Sequence, residues 1–354
     1  MFFASDNAGP AHPAILSAMT SSLGGYALGY GADETTDAVE TRIREIFEAP
    51  RAAVRLVSTG TAANALLLAT LAKPWESIFC TPQAHVWEDE CNAVEAMTGG
   101  ASMAHVAAGP DAKMTPDALM AAIAGRGGAV HRAQPGPVTL TSVTERGTIY
   151  TPEEIAALTD IAATRGMKVH LDGARFANAL VALGCTPAEM TWKAGVDAVS
   201  FGGTKNGCPA VEACVLFDPD PDWEMQLRRK RGGHLLSRHR TLSGQMQGYL
   251  EGDLWLDLAR TANTAAARLA AGLRGLGLGD TVLAEPEANM IFVSWPMRLH
   301  DRLTAAGAVY YVMGHSDDPE APVTGRFVCD WATTDEAIDS FLGHLRSALE
   351  TKAA

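Results

Sequence analysis

Lys205 stands in the segment Ser200-Phe201-Gly202-Gly203-Thr204-Lys205-Asn206-Gly207, directly after an apolar run over 196–201 that reads as a buried strand. Upstream, a second strand-like run, Met167-Lys168-Val169-His170-Leu171, ends in Asp172-Gly173-Ala174-Arg175. A lysine on the loop after one strand, with an aspartate at the end of an earlier strand, is what pyridoxal phosphate chemistry requires. The lysine amine forms a Schiff base with the cofactor. The aspartate pairs with the pyridinium nitrogen and keeps it protonated, so that the ring serves as an electron sink. Taken singly, such a lysine is a surface cation and such an aspartate a helix cap. Together, with a phosphate loop upstream, they favour the cofactor.

That loop is Ser58-Thr59-Gly60-Thr61-Ala62-Ala63-Asn64, between a strand and a helix. Gly60 lets the backbone approach an anion closely, Thr61 adds a hydroxyl, and the free amides of a first helical turn complete a phosphate cradle. A capped strand-to-helix turn is the commoner meaning of such a segment. The patterns of a dinucleotide site (GxGxxG) and of a Walker loop (GxxxxGK[ST]) are missing from it. His85, in Pro82-Gln83-Ala84-His85-Val86-Trp87, follows a strand end, where its ring can stack on a pyridine face; a lone histidine more often serves the surface or the core. Arg326 opens the last strand, Arg326-Phe327-Val328-Cys329-Asp330, and a guanidinium fork suits an amino-acid carboxylate. Without the other residues it would read as a surface ion pair. Arg228, Arg229, Lys230, Arg231, Arg238 and Arg240 form a basic cluster, by default a solvated face, in which Arg238 is the candidate phosphate ligand.

The elements that must position these groups alternate. Strands are expected over 53–57, 77–80 and 137–144, with helices over 62–72, 88–97 and 152–165. The helix at 152 carries a cap residue, proline and early acids in Thr151-Pro152-Glu153-Glu154. The strands bearing Asp172 and leading to Lys205 follow, then one over 213–217. This pattern predicts an α/β domain with a largely parallel sheet. A helical stretch over 223–272 is broken near Gly232-Gly233 and Gly252. Past Gly279, strands over 290–295, 309–312 and 326–330 and helices over 299–306 and 335–349 predict a smaller α+β unit. The run 314–325 is the clearest exposed loop.

The 354 residues accommodate one large and one smaller domain, and 47% hydrophobic content supplies a core. A formal net charge of -13 disfavours nucleic acid and anionic membranes as partners. Six scattered cysteines without a CxxC pair predict reduced thiols, a cytoplasmic protein and no metal site. The start, Met1-Phe2-Phe3-Ala4-Ser5-Asp6, has no basic region or long apolar stretch, so no signal peptide or membrane span is expected.

The combination resembles the fold-type-I, pyridoxal phosphate-dependent L-threonine aldolases of the low-specificity type, over nearly the whole chain. Ser5-Asp6-Asn7, Gly29-Tyr30-Gly31-Ala32-Asp33 with Val39-Glu40, the Ser58–Asn64 loop and Gln83-Ala84-His85 are similar to family segments. So are His170-Leu171-Asp172-Gly173-Ala174-Arg175, the segment around Lys205, and His234-Leu235-Leu236-Ser237-Arg238-His239-Arg240, which resembles the stretch carrying an arginine to the phosphate. Where some members have Glu-Asn-Thr-His-Asn, this chain has Thr141-Ser142-Val143-Thr144-Glu145-Arg146-Gly147-Thr148, similar to a different bacterial branch.

The resemblance implies a cofactor-binding domain over 14–245, a small domain over 246–354, and residues 1–13 packing near the site. It implies retro-aldol cleavage of L-threonine, L-allo-threonine or phenylserine-like L-β-hydroxy-α-amino acids to glycine and an aldehyde. Lys205, Asp172 and His85 would be catalytic, with His85, or His131 through a water, as the base. Gly60, Thr61, His85, Asp172, Arg175, Thr204, Lys205 and Arg238 would bind cofactor, and Ser5, Tyr30, Arg175 and Arg326 substrate. The resemblance also implies a homodimer or homotetramer with shared sites. Rival expectations are β-elimination or transamination on the same fold, and a cofactor-binding homologue without turnover.

Overall fold

The structure, a computed structural model, describes residues 1–350. The chain forms two compact units: Ala11–Trp255, and a second built from Met1–Pro10 with the chain from Leu256 onward. The division expected at 245–246 falls inside a helix, Arg240–Leu250, whose hydrogen-bond ladder does not part there. The chain leaves that helix through Gly252, at φ 57°. The leading segment also divides, Met1–Pro10 going with the C-terminal unit.

The larger unit is a seven-stranded sheet in the order β1-β7-β6-β5-β4-β2-β3. Its strands are β1 Ala53–Val57, β2 Glu76–Cys80, β3 Ser102–His105, β4 Gln134–Thr141, β5 Val169–Gly173, β6 Ala198–Gly202 and β7 Glu212–Leu216. β7 runs antiparallel to β1 and β6, and the remaining neighbours pair in parallel. The unit's helices are α1 Pro13–Ser22, α2 Glu34–Ile46, α3 Gly60–Leu71, α4 His85–Glu88, α5 Ala93–Thr98, α6 Pro116–Ala124, α7 Pro152–Ala163, α8 Phe176–Leu183, α9 Asp222–Arg231 and α10 Arg240–Leu250. β1, β5, β6 and β7 are buried throughout apart from half-buried Arg55, as expected of sheet strands covered on both faces. α3 is an Ala/Leu helix buried nearly all round, and Val57, Leu66, Leu67, Ala198 and Leu216 close a core beneath it. On β6, Phe201 packs edge-on against Phe47, Phe176 and Trp255, with ring centroids 5.4–5.8 Å apart. That aromatic cluster fixes the strand from which the Lys205 segment emerges.

Two elements depart from the sequence expectation in ways that matter to the site. The single helix expected over 88–97 is split into α4 and α5, because Cys91 and Asn92 take positive φ of 50° and 59°. The strand expected over 137–144 is β4, shifted towards the N-terminus, so Ser142 to Glu145 lie on a loop beyond it. The helical stretch after residue 222 is interrupted where the glycines indicate, ending at Arg231 and resuming at Arg240.

The second unit carries β8 Met290–Pro296, β9 Tyr311–Met313 and β10 Pro322–Val328, antiparallel in the order β8-β10-β9. Helices α11 Leu254–Gly275, α12 Met297–Ala305 and α13 Asp335–Glu350 supply its apolar partners. Trp295, Phe327, Phe341 and Phe3 are buried together, and Phe3 hydrogen-bonds the backbone of Val309 and Val328. β10 starts earlier than expected, so Arg326 lies near its end rather than opening it, and 322–325 are strand rather than exposed loop.

Candidate active site

In the larger unit, β1, β2, β4, β5 and β6 all end at one edge of the sheet, where β7 begins because it runs the other way. The carboxyl ends of parallel strands are where open α/β sheets bind ligands. The loops leaving this edge carry Thr59-Gly60-Thr61, His85, Glu145, Arg175 and Lys205.

Lys205 lies in a one-turn 3-10 segment, Thr204–Asn206. The two glycines before it are needed for close approach. A Cβ on Gly202 would stand 2.5 Å from the Ala174 carbonyl oxygen, and one on Gly203 2.8 Å from that of Val211. Asn206 ties the segment down, its amide donating at 2.8 Å to the Tyr249 hydroxyl and to the Trp255 carbonyl.

His170 and Asp172 are two residues apart on β5 and share a face with Ser200 of β6, against α3. Asn64 of α3 joins them. Its Nδ2 donates at 2.8 Å to both Asp172 Oδ2 and Glu90 Oε1, and its Oδ1 accepts from Ser200 Oγ at 2.7 Å. The opposite amide orientation would set a carbonyl oxygen against two carboxylates, so the chemistry of the neighbours fixes it. Proton positions then follow. Ser200 spends its hydrogen on Asn64, so His170 Nε2, 3.0 Å away, donates to Ser200. Thr139 in turn donates to His170 Nδ1 at 2.9 Å. His170 is neutral, burial pushing its pKa down to about 4. Asp172 also accepts from Ala174 N–H at 3.0 Å.

Glu90, whose side chain is fully buried, carries the network to His85: Oε1 accepts from Nδ1 at 2.9 Å. That bond, more than the opposing effect of burial, raises the His85 pKa, with Asp172 raising it and Lys205 lowering it further. His85 is also the first residue of α4, which has no side-chain cap of its own; the Glu145 carboxylate fills that role, accepting the His85 N–H at 2.9 Å. Burial raises the pKa of Glu145.

At the end of β1, Thr59 caps α3 by accepting Ala62 N–H at 3.1 Å. The first intrahelical backbone bond runs from Ala63 N–H to the Thr59 carbonyl, so the Gly60 and Thr61 amides precede the ladder. A Cβ built on Gly60 meets nothing within 4 Å, so the space beside these amides is open to an anion. Asp172, holding two hydrogen bonds on a carboxylate with about four acceptor positions, can take a third from a ring N–H. The residues therefore fit pyridoxal phosphate: Gly60 and Thr61 for its phosphate, Lys205 for its aldehyde, Asp172 for its ring nitrogen.

The other expected residues fall into four groups. Arg175 is half-buried at the N-cap of α8, next to the β5 end. Tyr30, at φ 61°, and Arg238 are exposed; Tyr30 N–H bonds the Ser237 carbonyl at 3.0 Å, and Lys230 Nζ lies 4.6 Å from the Tyr30 ring centre. His131 is not brought to the Asp172 edge within one protomer. It is exposed in the turn before β4, at the opposite end of a strand whose length separates it from Asp172 by roughly 20 Å or more, and Gln134 Nε2 fastens that turn to the Ala129 and Arg132 carbonyls. In the second unit, Arg326 Nη2 donates to the Ala4 carbonyl at 3.4 Å and its guanidinium lies 4.7 Å from the Tyr311 ring centre, so Ser5 follows directly on a residue that Arg326 holds.

The model of the beta-eliminating lyase family matches residues 3–296. The chain belongs to that family. A low-specificity L-threonine aldolase from Pseudomonas aeruginosa is 37% identical over 345 residues, 97% of this chain and 96% of the relative. Another, from a Pseudomonas species, is 34% identical over 347 residues, 98% and 97% of the two chains. A solved threonine aldolase structure from Leishmania major superposes with a TM-score of 0.91 at 26% identity, covering 98% of each chain. The L-threonine aldolase resemblance read from the motifs and the α/β, fold-type-I architecture both hold for this member of the beta-eliminating lyases.

In this lyase the motifs marked Lys205, Asp172, His85 and the cradle, but three carboxyl or amide groups around them were missed. Asn64 stood inside the phosphate motif without a role; a polar residue in an Ala/Leu helix buried all round was the available signal. Glu90 and Glu145 gave no such signal, because the helix break and the shifted β4 that place them are tertiary outcomes.

Proposed function

We propose that the chain is a pyridoxal phosphate-dependent L-threonine aldolase, cleaving L-threonine, L-allo-threonine or phenylserine-like substrates to glycine and an aldehyde. The observation that carries this reading is the chain of bonds Asp172–Asn64–Glu90–His85 at the sheet edge where the Lys205 loop emerges. Bound through Lys205, the cofactor supplies an electron-withdrawing ring for the pair left when Cα–Cβ breaks. Asp172 holds a proton on the ring nitrogen, and Asn64 keeps that carboxylate oriented. His85 stacks on the ring and takes the β-hydroxyl proton at Nε2, since Nδ1 is engaged by Glu90. Gly60 and Thr61 amides, with Arg238 of a second subunit, bind phosphate, and Thr204 and Arg175 complete the cofactor site. Arg326 forks the α-carboxylate, with Ser5 and Tyr30 as further substrate contacts.

A homodimer or homotetramer with shared sites is supported by the exposure of Tyr26, Leu28 and Tyr30, an apolar stretch beside Arg238 that a second copy would cover. A cytoplasmic location is supported by six free cysteines, and among the described residues no helix is long and apolar enough to cross a membrane. The deciding experiment is incubation with L-threonine, L-allo-threonine and L-phenylserine, with aldehyde and glycine measured for each. Release of pyruvate and ammonia from L-serine, with no aldehyde from any of the three, would replace the aldolase with a β-eliminating activity. Arg326→Lys keeps the charge but loses the two-pronged geometry; KM for all three substrates is expected to rise at least about tenfold, as for a lost charged hydrogen-bond pair. Unchanged KM would move the carboxylate site elsewhere.

A further inference from the structure

We propose that Glu212, the first residue of β7, is a positioning residue for Lys205: it anchors the lysine loop through the backbone and sets the protonation of the lysine nitrogen by its own charge. Glu212 faces Gly202 across one strand pairing and Val57 across the other, so it sits between the strand that delivers Lys205 and the strand that delivers the phosphate cradle. Its Oε2 accepts the Gly203 N–H at 2.9 Å, and the Thr204 hydroxyl lies within hydrogen-bonding reach of the same carboxylate. These are the two residues immediately before Lys205. The same Thr204 oxygen accepts Val211 N–H at 3.1 Å, which closes a short ring of bonds from β7 to the loop and back.

Burying a carboxylic acid at the head of a strand costs stability, and the bonds to Gly203 and Thr204 offset part of that cost. A neutral acceptor such as asparagine or serine would satisfy one backbone N–H as well. Only an ionisable group adds a charge that can appear and vanish beneath the lysine. Burial raises the pKa of Glu212 to about 7, the nearby Lys205 lowering it and Asp172 raising it. Cys208, Cys214 and Tyr249 also interact with it; all are buried and all are pushed upward, so they stay neutral where Glu212 titrates. When Glu212 ionises it favours a proton on the Lys205 nitrogen; when it is protonated that support is withdrawn.

This rests on Lys205 being the cofactor lysine. The visible absorbance of the bound cofactor reports whether the lysine nitrogen is protonated, and its pH titration is the test. In Glu212→Gln the anchor survives through the amide oxygen while the charge is gone. The spectral midpoint is expected to move down by about one pH unit, the equivalent of tenfold in proton affinity, with cofactor affinity within about threefold of wild type. A wild-type midpoint in Glu212→Gln overturns the proposal, and so does a midpoint that moves up. Glu212→Ala removes the anchor as well, and cofactor affinity is expected to fall at least tenfold, with Glu212→Asp recovering neither property fully because its side chain is one methylene short. Wild-type cofactor affinity in Glu212→Ala overturns the anchoring role. A wild-type protein that shows no visible band with pyridoxal phosphate overturns the cofactor reading and this proposal together, whereas a yellow wild type with an unshifted Glu212→Gln overturns only the role of Glu212.

Discussion

A single amide, Asn64, decides how the two carboxylates of the site behave. It offers one N–H to Asp172 and the other to Glu90, so both are oriented by the same group. Asp172→Ala is expected to lower kcat by about 10²–10³, the scale for removing a group that stabilises transition-state charge, with KM changed little. Near-normal turnover in the cofactor-loaded variant would show that the ring nitrogen does not depend on Asp172 for its proton. Glu90 acts on His85 instead. Hydrogen bonding to Glu90 raises the His85 pKa above the ordinary 6.5. The bond therefore favours the folded protein fully below that ordinary value, and its contribution fades as pH rises through the raised one. Glu90→Gln is expected to bring the His85 titration, followed by its ring proton resonance, down towards the ordinary value. The stability gap between wild type and variant in urea should be widest in acid and narrow as pH rises past neutrality. A gap independent of pH, with an unmoved resonance, would show that Glu90 serves only as an acceptor for Asn64.

At the scale of elements, the site depends on where helices start. α3 begins at Gly60 because Thr59 is extended and caps it, and α4 begins at His85 because Glu145 caps it from another loop. Thr59→Ala is expected to cost about 1 kcal/mol, as for loss of a Ser/Thr cap, and to weaken cofactor binding, because the first-turn amides that face the phosphate lose their fixed orientation. Thermal unfolding with and without pyridoxal phosphate separates the two effects: the difference between variant and wild type should be larger with cofactor present. An equal difference in both conditions would mean that the α3 start is structural and binds nothing.

At the scale of the whole molecule, the proposed assembly makes a direct prediction. Lys205→Ala and Arg238→Ala subunits are each expected to be inactive. Mixed under subunit exchange, they should regain up to about a quarter of the activity, since in a twofold dimer half of the pairs are hybrids and one of two sites in each has both residues. Exchange proven by mass without any recovery would place Arg238 in cis or outside the site. A monomer by light scattering would remove the shared site altogether.

Much of this protein was legible in the chain itself. The order of elements, the strand end at Asp172, the loop carrying Lys205, the strand-to-helix turn at Gly60 and the change to a smaller α+β unit all follow from local patterns: apolar runs, glycine breaks and cap residues record where strands end and helices begin. The fold-type-I family followed from motifs that are local too. What the sequence left open is set by contacts between distant residues. Cys91 and Asn92 at positive φ break a helix that periodicity alone would continue, and Glu90 gains its partners at the break. His85, or His131 through a water, were the candidates for the base by residue type; within one protomer the direction of β4 sets His131 at the end of the sheet away from Asp172. Glu212, just before the apolar run 213–217, carries no local signal of a role, and only the antiparallel pairing of β7 brings it to the lysine loop. Residue types and spacing record local preferences, whereas which charge meets which loop depends on strand order and direction, and these are decided when the sheet assembles.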